Sequence, residues 1–422
     1  MSFGNVPRDL NVSCFATTRS TAAKSANGYF SADLRTVGSL LQYQRSPGVW
    51  VTAESLTVPA TQLGSVYTLP FNVNDLSFSL SGSILAVAQL TVAVGDSFLS
   101  ILTNDNGQYI PTAIPIPPDT VGPLPNQGSV SVNDSGNVLA VGSLTDNNQI
   151  GAVWIYAYVA GVWTLQGSKI TGPGEIGAGR FGNSMSLNGA GNLLAVGCCF
   201  DDGGVGAVYI FNISNLTAPV FVAKLIGINS PGYDPIYQFG FTINFSADGS
   251  TLAVSSQSNS VFIFTKVQTQ QSLWTQQAQL VAPAEYIGAS FNSSVSLSND
   301  GNILVVGALP FSFVYYRTLA SWSTGNLLSF PYDLVGSPAP FPLYSYISQD
   351  GNTIFTNCST DNNNTGASWI YTQGPLGTWI QNGPKFVGSG GTSTSQGFSG
   401  SALSGDGKVT AFASTTNLWV FV

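Results

Sequence analysis

Residues 180–211 read RFGNSMSLNGAGNLLAVGCCFDDGGVGAVYIF. Three short runs, FGNSMSL, NLLAVGC and GAVYIF, alternate apolar with small or polar residues, and a Gly-rich turn and a longer Asp/Gly loop separate them. The period is that of strands, and no useful length of the chain shows the 3.6-residue period of a helix. Sister copies stand at 129–156 and 291–316. The chain is built from copies of this unit, so one repeat architecture replaces the two or three domains that 422 residues would otherwise suggest.

The apolar residue shortly after each turn glycine serves as a ruler. It recurs as Leu85, Leu139, Leu194, Leu252, Leu304, Ile354 and Thr410, in steps of 54, 55, 58, 52, 50 and 56 residues. Each copy has the same parts. A first strand, often opened by Phe-Gly (Phe181-Gly182, Phe239-Gly240), runs into a tight turn such as Asp248-Gly249 or Asp300-Gly301. Asp-Gly between alternating runs marks a hairpin, because such turns need positive φ. A Leu-Ala-Val-like strand follows, then one reading Val-Trp-Ile-Tyr or Val-Phe-Ile-Phe, then a fourth with a Trp near its start (Trp163, Trp274, Trp379). Four antiparallel strands per repeat predict an all-β fold, a β-propeller.

Residues 18–62 read as one further, eroded repeat. Ser25-Ala-Asn-Gly28 parallels Ser246-Ala-Asp-Gly249, and Gly38 precedes Trp50 by twelve residues, as Gly151 precedes Trp163. The chain ends on a third strand, 417–422, with no fourth, and counting back from the eroded repeat puts Met1 at the vacant position. The expectation is therefore a single domain over 1–422 with eight blades, closed by strands from both termini, which leaves no unpaired edge. The alternative has seven blades, with 49–56 closing the last and 1–45 forming an arm.

Phe-Gly, the Asp-Gly-Asn turn, Leu-Ala-Val-Gly-Ala, Gly-Ala-Val-x-Ile-Tyr and the later Trp together resemble the FG-GAP repeats of integrin-α-like propellers, over about 71–422. The resemblance implies the fold and leaves function open, since propellers host unrelated activities. Integrin-type repeats often carry a calcium loop with several Asp/Asn ligands. Here that hairpin is a few residues long with at most one Asp, whereas calcium takes six or more oxygens. Asp134, Asp248, Asp300, Asp350 and Asp406 therefore read as turn formers, and neither a metal nor another cofactor is expected.

Composition narrows the function classes. Only 8% of residues are charged, against about 25% in ordinary soluble domains, so Ser, Thr, Asn, Gln and Gly must cover the surface, as in extracellular, fibre and capsid proteins. Residues 1–50 hold five Lys/Arg and two Asp, a net of +3; the remainder holds seven basic and 18 acidic residues, a net of −11. An acidic body argues against nucleic acid as a partner, and the basic start could dock an acidic surface. The opening MSFGNVPRDL lacks the pattern of a signal peptide, and 84–102, the most apolar region, is broken by Gln89, Gly95 and Asp96, so no membrane span is expected. Cys14, Cys198, Cys199 and Cys358 follow neither a disulfide nor a zinc spacing and read as small buried residues.

The chain has no histidine and only three glutamates, which excludes Ser-His-Asp and Cys-His catalysis and His-ligated metals; no catalytic residues are assigned. The candidate binding residues are Asp146, Asn147 and Asn148, Asp201 and Asp202, and Asp361, Asn362 and Asn363. All lie between second and third strands, on the face that also carries the long links between blades, where binding residues concentrate. The expected function is a non-enzymatic structural or recognition propeller of a virion or other outer surface, contacting structural proteins or surface glycans. The alternatives are a glycan-binding lectin and a hydrolase using paired carboxylates.

Overall fold

Seven antiparallel sheets carry the seven clear repeats, a seven-bladed β-propeller. The computed structural model describes 61–69, 72–89, 97–115, 117–122, 128–230, 235–267, 273–286, 290–309, 311–328, 335, 343–374, 377–390 and 400–422, and the backbone of 34–37, 40–46 and 49–52. Blade 1 comprises Val73–Phe78, Ile84–Gln89, Ser97–Asp105 and Gln108–Pro115. Blade 3 comprises Ser184–Leu187, Leu193–Cys198, Ala207–Asn212 and Val220–Leu225. Blades 2, 4, 5 and 6 open with Val130–Val132, Ile243–Phe245, Ser290–Leu297 and Leu343–Ile347. Blade 7 comprises Gly400–Leu403, Thr410–Ser414 and Asn417–Phe421, with Tyr67–Thr68 as its outer strand.

The core lies between blades. Each of seven apolar clusters joins one sheet to the next: Val138, Ala140, Val153 and Ile155 of blade 2, for instance, pack on Phe181, Leu194, Val196 and Tyr209 of blade 3. All seven ruler residues are fully buried at the same place in their second strands. A strand facing an apolar neighbour on both sides explains runs such as Leu-Leu-Ala-Val.

The Phe-Gly signature has two jobs. Phe181 meets Tyr209 and Phe211 at 5.5 and 6.1 Å between centroids, Phe239 meets Phe262 and Phe264 at 5.4 and 5.9 Å, and Phe291 meets Phe313 and Tyr315 at 5.8 and 5.9 Å. Each Phe at this position, followed by Gly in blades 3 and 4 and by Asn292 in blade 5, thus packs against two aromatics, i and i+2, of its own third strand, contacts worth about 0.5–1.5 kcal/mol beyond area burial. The glycine that follows lets blades touch by backbone. A Cβ on Gly197 would lie 2.4 Å from the Gly240 carbonyl oxygen, and one on Gly142 2.4 Å from that of Gly182.

The hairpin face is tied by main-chain hydrogen bonds. Leu80 N–H donates to Asp134 (3.1 Å), Asp134 to Gly189 (3.1 Å), Gly189 to Ala247 (2.9 Å), Asp248 to Asn299 (3.1 Å), Asn299 to Gln349 (2.7 Å), Gln349 to Gly405 (2.8 Å) and Asp406 back to Leu80 (2.8 Å). Each bond joins the first hairpin turn of one blade to that of the next. Asp248, Asp300, Asp350 and Asp406 shape these turns, each accepting the hydroxyl of the serine two residues earlier at 2.5–2.8 Å. Asp134 differs. Asn133 caps that turn instead, and the Asp134 carboxylate accepts Gln349 Nε2 at 2.5 Å from blade 6.

Two expectations are corrected. The propeller has seven blades and not eight: the turn of blade 7 bonds directly to that of blade 1, which leaves no position for another sheet. An antiparallel three-stranded sheet does form from Leu34–Val37, Leu40–Ser46 and Val49–Thr52, but among the described residues it pairs with none of the seven blades. The outer strand of blade 7 comes from Tyr67–Thr68, flanked by Leu63 N–H to Val420 O (2.8 Å) and Leu69 N–H to Thr416 O (2.7 Å). Val49–Thr52, expected in the alternative to close the last blade, lies in the separate sheet; 53–56 and the first residues, expected to supply a closing strand, lie outside the described residues.

Gly197→Ala should destabilise the protein by about 1–3 kcal/mol in denaturant melts, because its methyl must displace the neighbouring backbone. An unchanged midpoint would show that the blades are not held at this spacing.

Candidate functional site

Asp146–Gln149, Asp201–Gly204 and Asp361–Asn364 superficially count as one-turn helices, but their handedness is reversed. Asn147 and Asn148 have φ of 48° and 58°, Asp202 and Gly203 of 52° and 69°, and Asn362 and Asn363 of 50° and 56°. Left-handed turns cost most residues about 1–2 kcal/mol each, and Asn, Asp and Gly tolerate them best. That preference accounts for the Asn/Asp/Gly composition of these loops without invoking a ligand.

The first residue of each loop supplies the compensation. Asp146, Asp201 and Asp361 are buried, and each pairs through Oδ2 with a lysine at the end of its blade: Lys169 (2.6 Å), Lys224 (2.6 Å) and Lys385 (2.5 Å). Through Oδ1 each accepts a backbone N–H of the incoming link, from Val121, Ile176 and Val335, all at 2.7 Å. The links return the favour: Val121, Ile176 and Val335 carbonyls accept the N–H of Asn147 (2.7 Å), Asp202 (3.1 Å) and Asn362 (2.9 Å). A glycine after each loop, Gly151, Gly206 or Gly366, donates to the aspartate carbonyl at 2.9–3.0 Å. Three blades therefore carry one latch, in which a buried carboxylate clamps the loop, the link and the end of the blade together, through the outer strand in blades 2 and 3 and just beyond it in blade 6.

The eight candidate residues thus divide by role. Asp146, Asp201 and Asp361 are latch groups turned inward, whereas Asn147, Asn148, Asp202, Asn362 and Asn363 are exposed on the loop tips. Beside them stand Val121, Ile176 and Val335, 48%, 56% and 50% exposed, which composition did not single out. The partner lysines were also missed, although they follow their aspartates at a nearly constant 23, 23 and 24 residues.

Blade 3 adds titratable groups to its latch. Tyr209 Oη donates to Asp201 Oδ2 (3.0 Å), and Lys224 Nζ also reaches the Gly174 carbonyl (3.0 Å). Glu175 accepts Gly179 N–H at 2.8 Å through one oxygen, and the other is buried without a hydrogen-bond partner. Burial pushes the Glu175 carboxyl up to about 7; the Gly179 N–H pulls the other way, and the Asp201 charge adds a smaller lift. Burial also pushes the neighbouring Cys198 thiol up, far from nucleophile range. Cys198, Cys199 and Cys358 are buried free thiols, and Cys14 lies outside the described residues. Among the described residues no group of three His, Cys, Asp or Glu side chains could hold a metal ion, and no helix is long and apolar enough to cross a membrane.

A carboxyl raised in the fold binds an extra proton there, so its stabilising contribution is complete below the usual carboxylate range and is lost as pH rises through about 7. Relative to Glu175→Gln, the parent protein should therefore lose melting temperature between pH 5 and pH 8. Parallel pH profiles for the two proteins would refute the assignment.

Comparison with protein-family models gives no match, and none of the curated proteins is similar in sequence. Among solved structures the chain is similar to a chain in the crystal structure of a mitotic checkpoint complex. The TM-score is 0.56 at 17% identity, over 86% of this chain and 91% of that one, a likeness of fold alone.

Proposed function

We propose that this protein is a non-enzymatic recognition or structural propeller that holds protein partners on its loop face. The observation that carries the reading is the triple latch: three buried ion pairs hold exposed left-handed tips and the half-exposed Val121, Ile176 and Val335 in one fixed geometry. Preformed loops lose little entropy when a partner binds, which favours affinity. The seven described tryptophans beyond Trp50 all sit in strands and none is fully exposed, which supports protein contact over a sugar-stacking lectin. The latch aspartates are engaged with lysines, which supports a binding role over paired-carboxylate hydrolysis. The setting we propose is an outer surface such as that of a virion, in keeping with the 8% charged residues. Kinship with FG-GAP repeats belongs to the same reading, supported by the bridges that Gly151 and Gly206 of two Gly-Ala pairs make to Phe181 and Phe239 of the Phe-Gly pairs in the next blade. So does a clasp role for Tyr67–Thr68: starting the chain at residue 70 should lower its melting temperature, whereas starting it at 54 should not. The same reading has the basic first 50 residues dock on an acidic surface, in keeping with their net charge of +3.

The test is partner capture by crosslinking and co-purification. Ile176→Asp with Val335→Asp should cut recovery of the partner at least roughly tenfold, the scale of one interface hot spot. Replacing Asp202, Asn362 and Asn363 by Ala should weaken it, and Asp300→Ala on the hairpin face should leave it intact. Full recovery with both loop-face variants would sink the reading.

A further inference from the structure

The three latches share one ion pair and differ in what the incoming link adds. The blade 3 link, 172–179, has glycine at four of its eight positions, Gly172, Gly174, Gly177 and Gly179, and most of it is exposed. Its ties to the blade are few. Ile176 N–H donates to Asp201 Oδ1 (2.7 Å), the Ile176 and Gly179 carbonyls accept the N–H of Asp202 (3.1 Å) and Phe200 (3.0 Å), and the Gly174 carbonyl accepts Lys224 Nζ (3.0 Å). A segment with few bonds and little buried surface opens at low cost.

The side chain this link sends inward is Glu175, and its burial is poorly compensated. Oε1 accepts the N–H of Gly179, in the same link, at 2.8 Å, and Oε2 is buried with no hydrogen-bond partner. Glycines admit the carboxyl. A Cβ on Gly172 would stand 3.0 Å from Oε2 and 3.2 Å from the Tyr209 ring, and one on Gly179 2.6 Å from Oε1 and 2.5 Å from Cys198 Sγ. Facing Glu175 are the Cys198 thiol of the second strand, the Tyr209 phenol of the third, Lys224 of the outer strand and Asp201 of the loop. Lys224 is committed to Asp201 Oδ2 (2.6 Å), which also accepts the Tyr209 hydroxyl (3.0 Å). Arg180, at the end of the link, lies over the Phe200 ring at 4.2 Å and donates to Gln149 (3.1 Å). Among the described residues no lysine or arginine stands within ion-pair distance of Glu175. A neutral acid fits such a place, whereas an ion would be a second buried carboxylate beside a lysine already taken.

Blade 2 supplies the control. Its link also carries an acid, Asp119, and satisfies both oxygens: Oδ1 accepts Trp154 Nε1 (2.7 Å) and Oδ2 accepts Lys169 N–H (2.9 Å). Burial lifts the Asp119 carboxyl, and these bonds more than offset the lift, so it stays below the usual carboxylate range.

We propose that link 172–179 of blade 3 is a proton-operated flap, seated on Asp201 while Glu175 is neutral and released when Glu175 ionises and carries its charge out to water. Release frees Ile176 and the turn at Asp202, while the latches of blades 2 and 6 stay closed. The use of such a flap to control a docked partner rests on the loop-face reading above; the opening itself does not. The direction with pH follows from linkage. Glu175 keeps its proton up to about 7 in the seated flap and would hold it only up to about 4.3 in the open one. Between those values opening releases one proton, so the opening constant rises about tenfold per pH unit, and above them it levels off.

The test is amide hydrogen exchange in the full chain, read residue by residue by NMR and corrected for the intrinsic pH dependence of exchange. The Ile176, Gly179 and Asp202 amides should lose at least roughly tenfold in protection between pH 5 and pH 8. The matching amides of Val121 and Asn147 in blade 2, and of Val335 and Asn362 in blade 6, should keep theirs. In Glu175→Gln, which carries no charge at any pH, the blade 3 amides should show one protection factor across the range. If that variant does not fold, the comparison of blade 3 with blades 2 and 6 in the parent protein decides. A flat profile in blade 3, the same pH dependence in all three blades, or an unaltered dependence in Glu175→Gln would overturn the proposal. The readout needs no partner, so a failure of the docking reading leaves it untouched.

Discussion

The close approach of neighbouring blades along their backbones is the constraint on which the other features rest. Seven main-chain hydrogen bonds link the first turns in sequence and return to the start. Such bonds require each turn to present a carbonyl to one neighbour and an N–H to the other, which only a fixed turn geometry does. The turn aspartates and their serines impose that geometry locally. The glycines at 142, 182, 197 and 240 keep side chains from prising the sheets apart at the opposite end of the same strands. Between these two levels the apolar clusters fill whatever space the backbone contacts leave, so burial follows from spacing, which the backbone sets.

Against that frame the buried ion pairs are specificity devices more than sources of stability. Desolvating a carboxylate and an ammonium costs several kcal/mol per ion, and their attraction roughly offsets it. What a latch does is forbid alternatives: with Asp201 buried, the loop cannot turn outward without stranding a charge, and Ile176 cannot leave without orphaning Asp201 Oδ1. Three left-handed loops of unfavourable backbone conformation persist because each is over-determined from three directions.

Much of this was legible in the sequence, and the failures have physical causes. The repeat length, the order of strands and the turn residues could be read because strand period and turn chemistry are local properties. The blade count could not, because an extra hairpin sheet at 34–52 has the same local pattern as a blade, and only contacts between distant turns distinguish the two. The Asp/Asn loops were read correctly in position and incompletely in role. Acidic clusters in loops look alike whether they face solvent or a lysine 23 residues away, and the near-constant interval was the one available signal.

The central channel, whose wall the first strands make, teaches the complementary lesson. In a repeat protein each position carries its own controls, so a departure from the common residue has meaning that composition alone lacks. Serine at Ser131 and Ser186 staples blades; alanine at Ala402 gives up a staple, and tyrosine at Tyr346 replaces a short acceptor with a bulky ring. Loss of that short acceptor in two adjacent blades, 6 and 7, is confined to one part of the wall. The other five blades show that the fold does not require it.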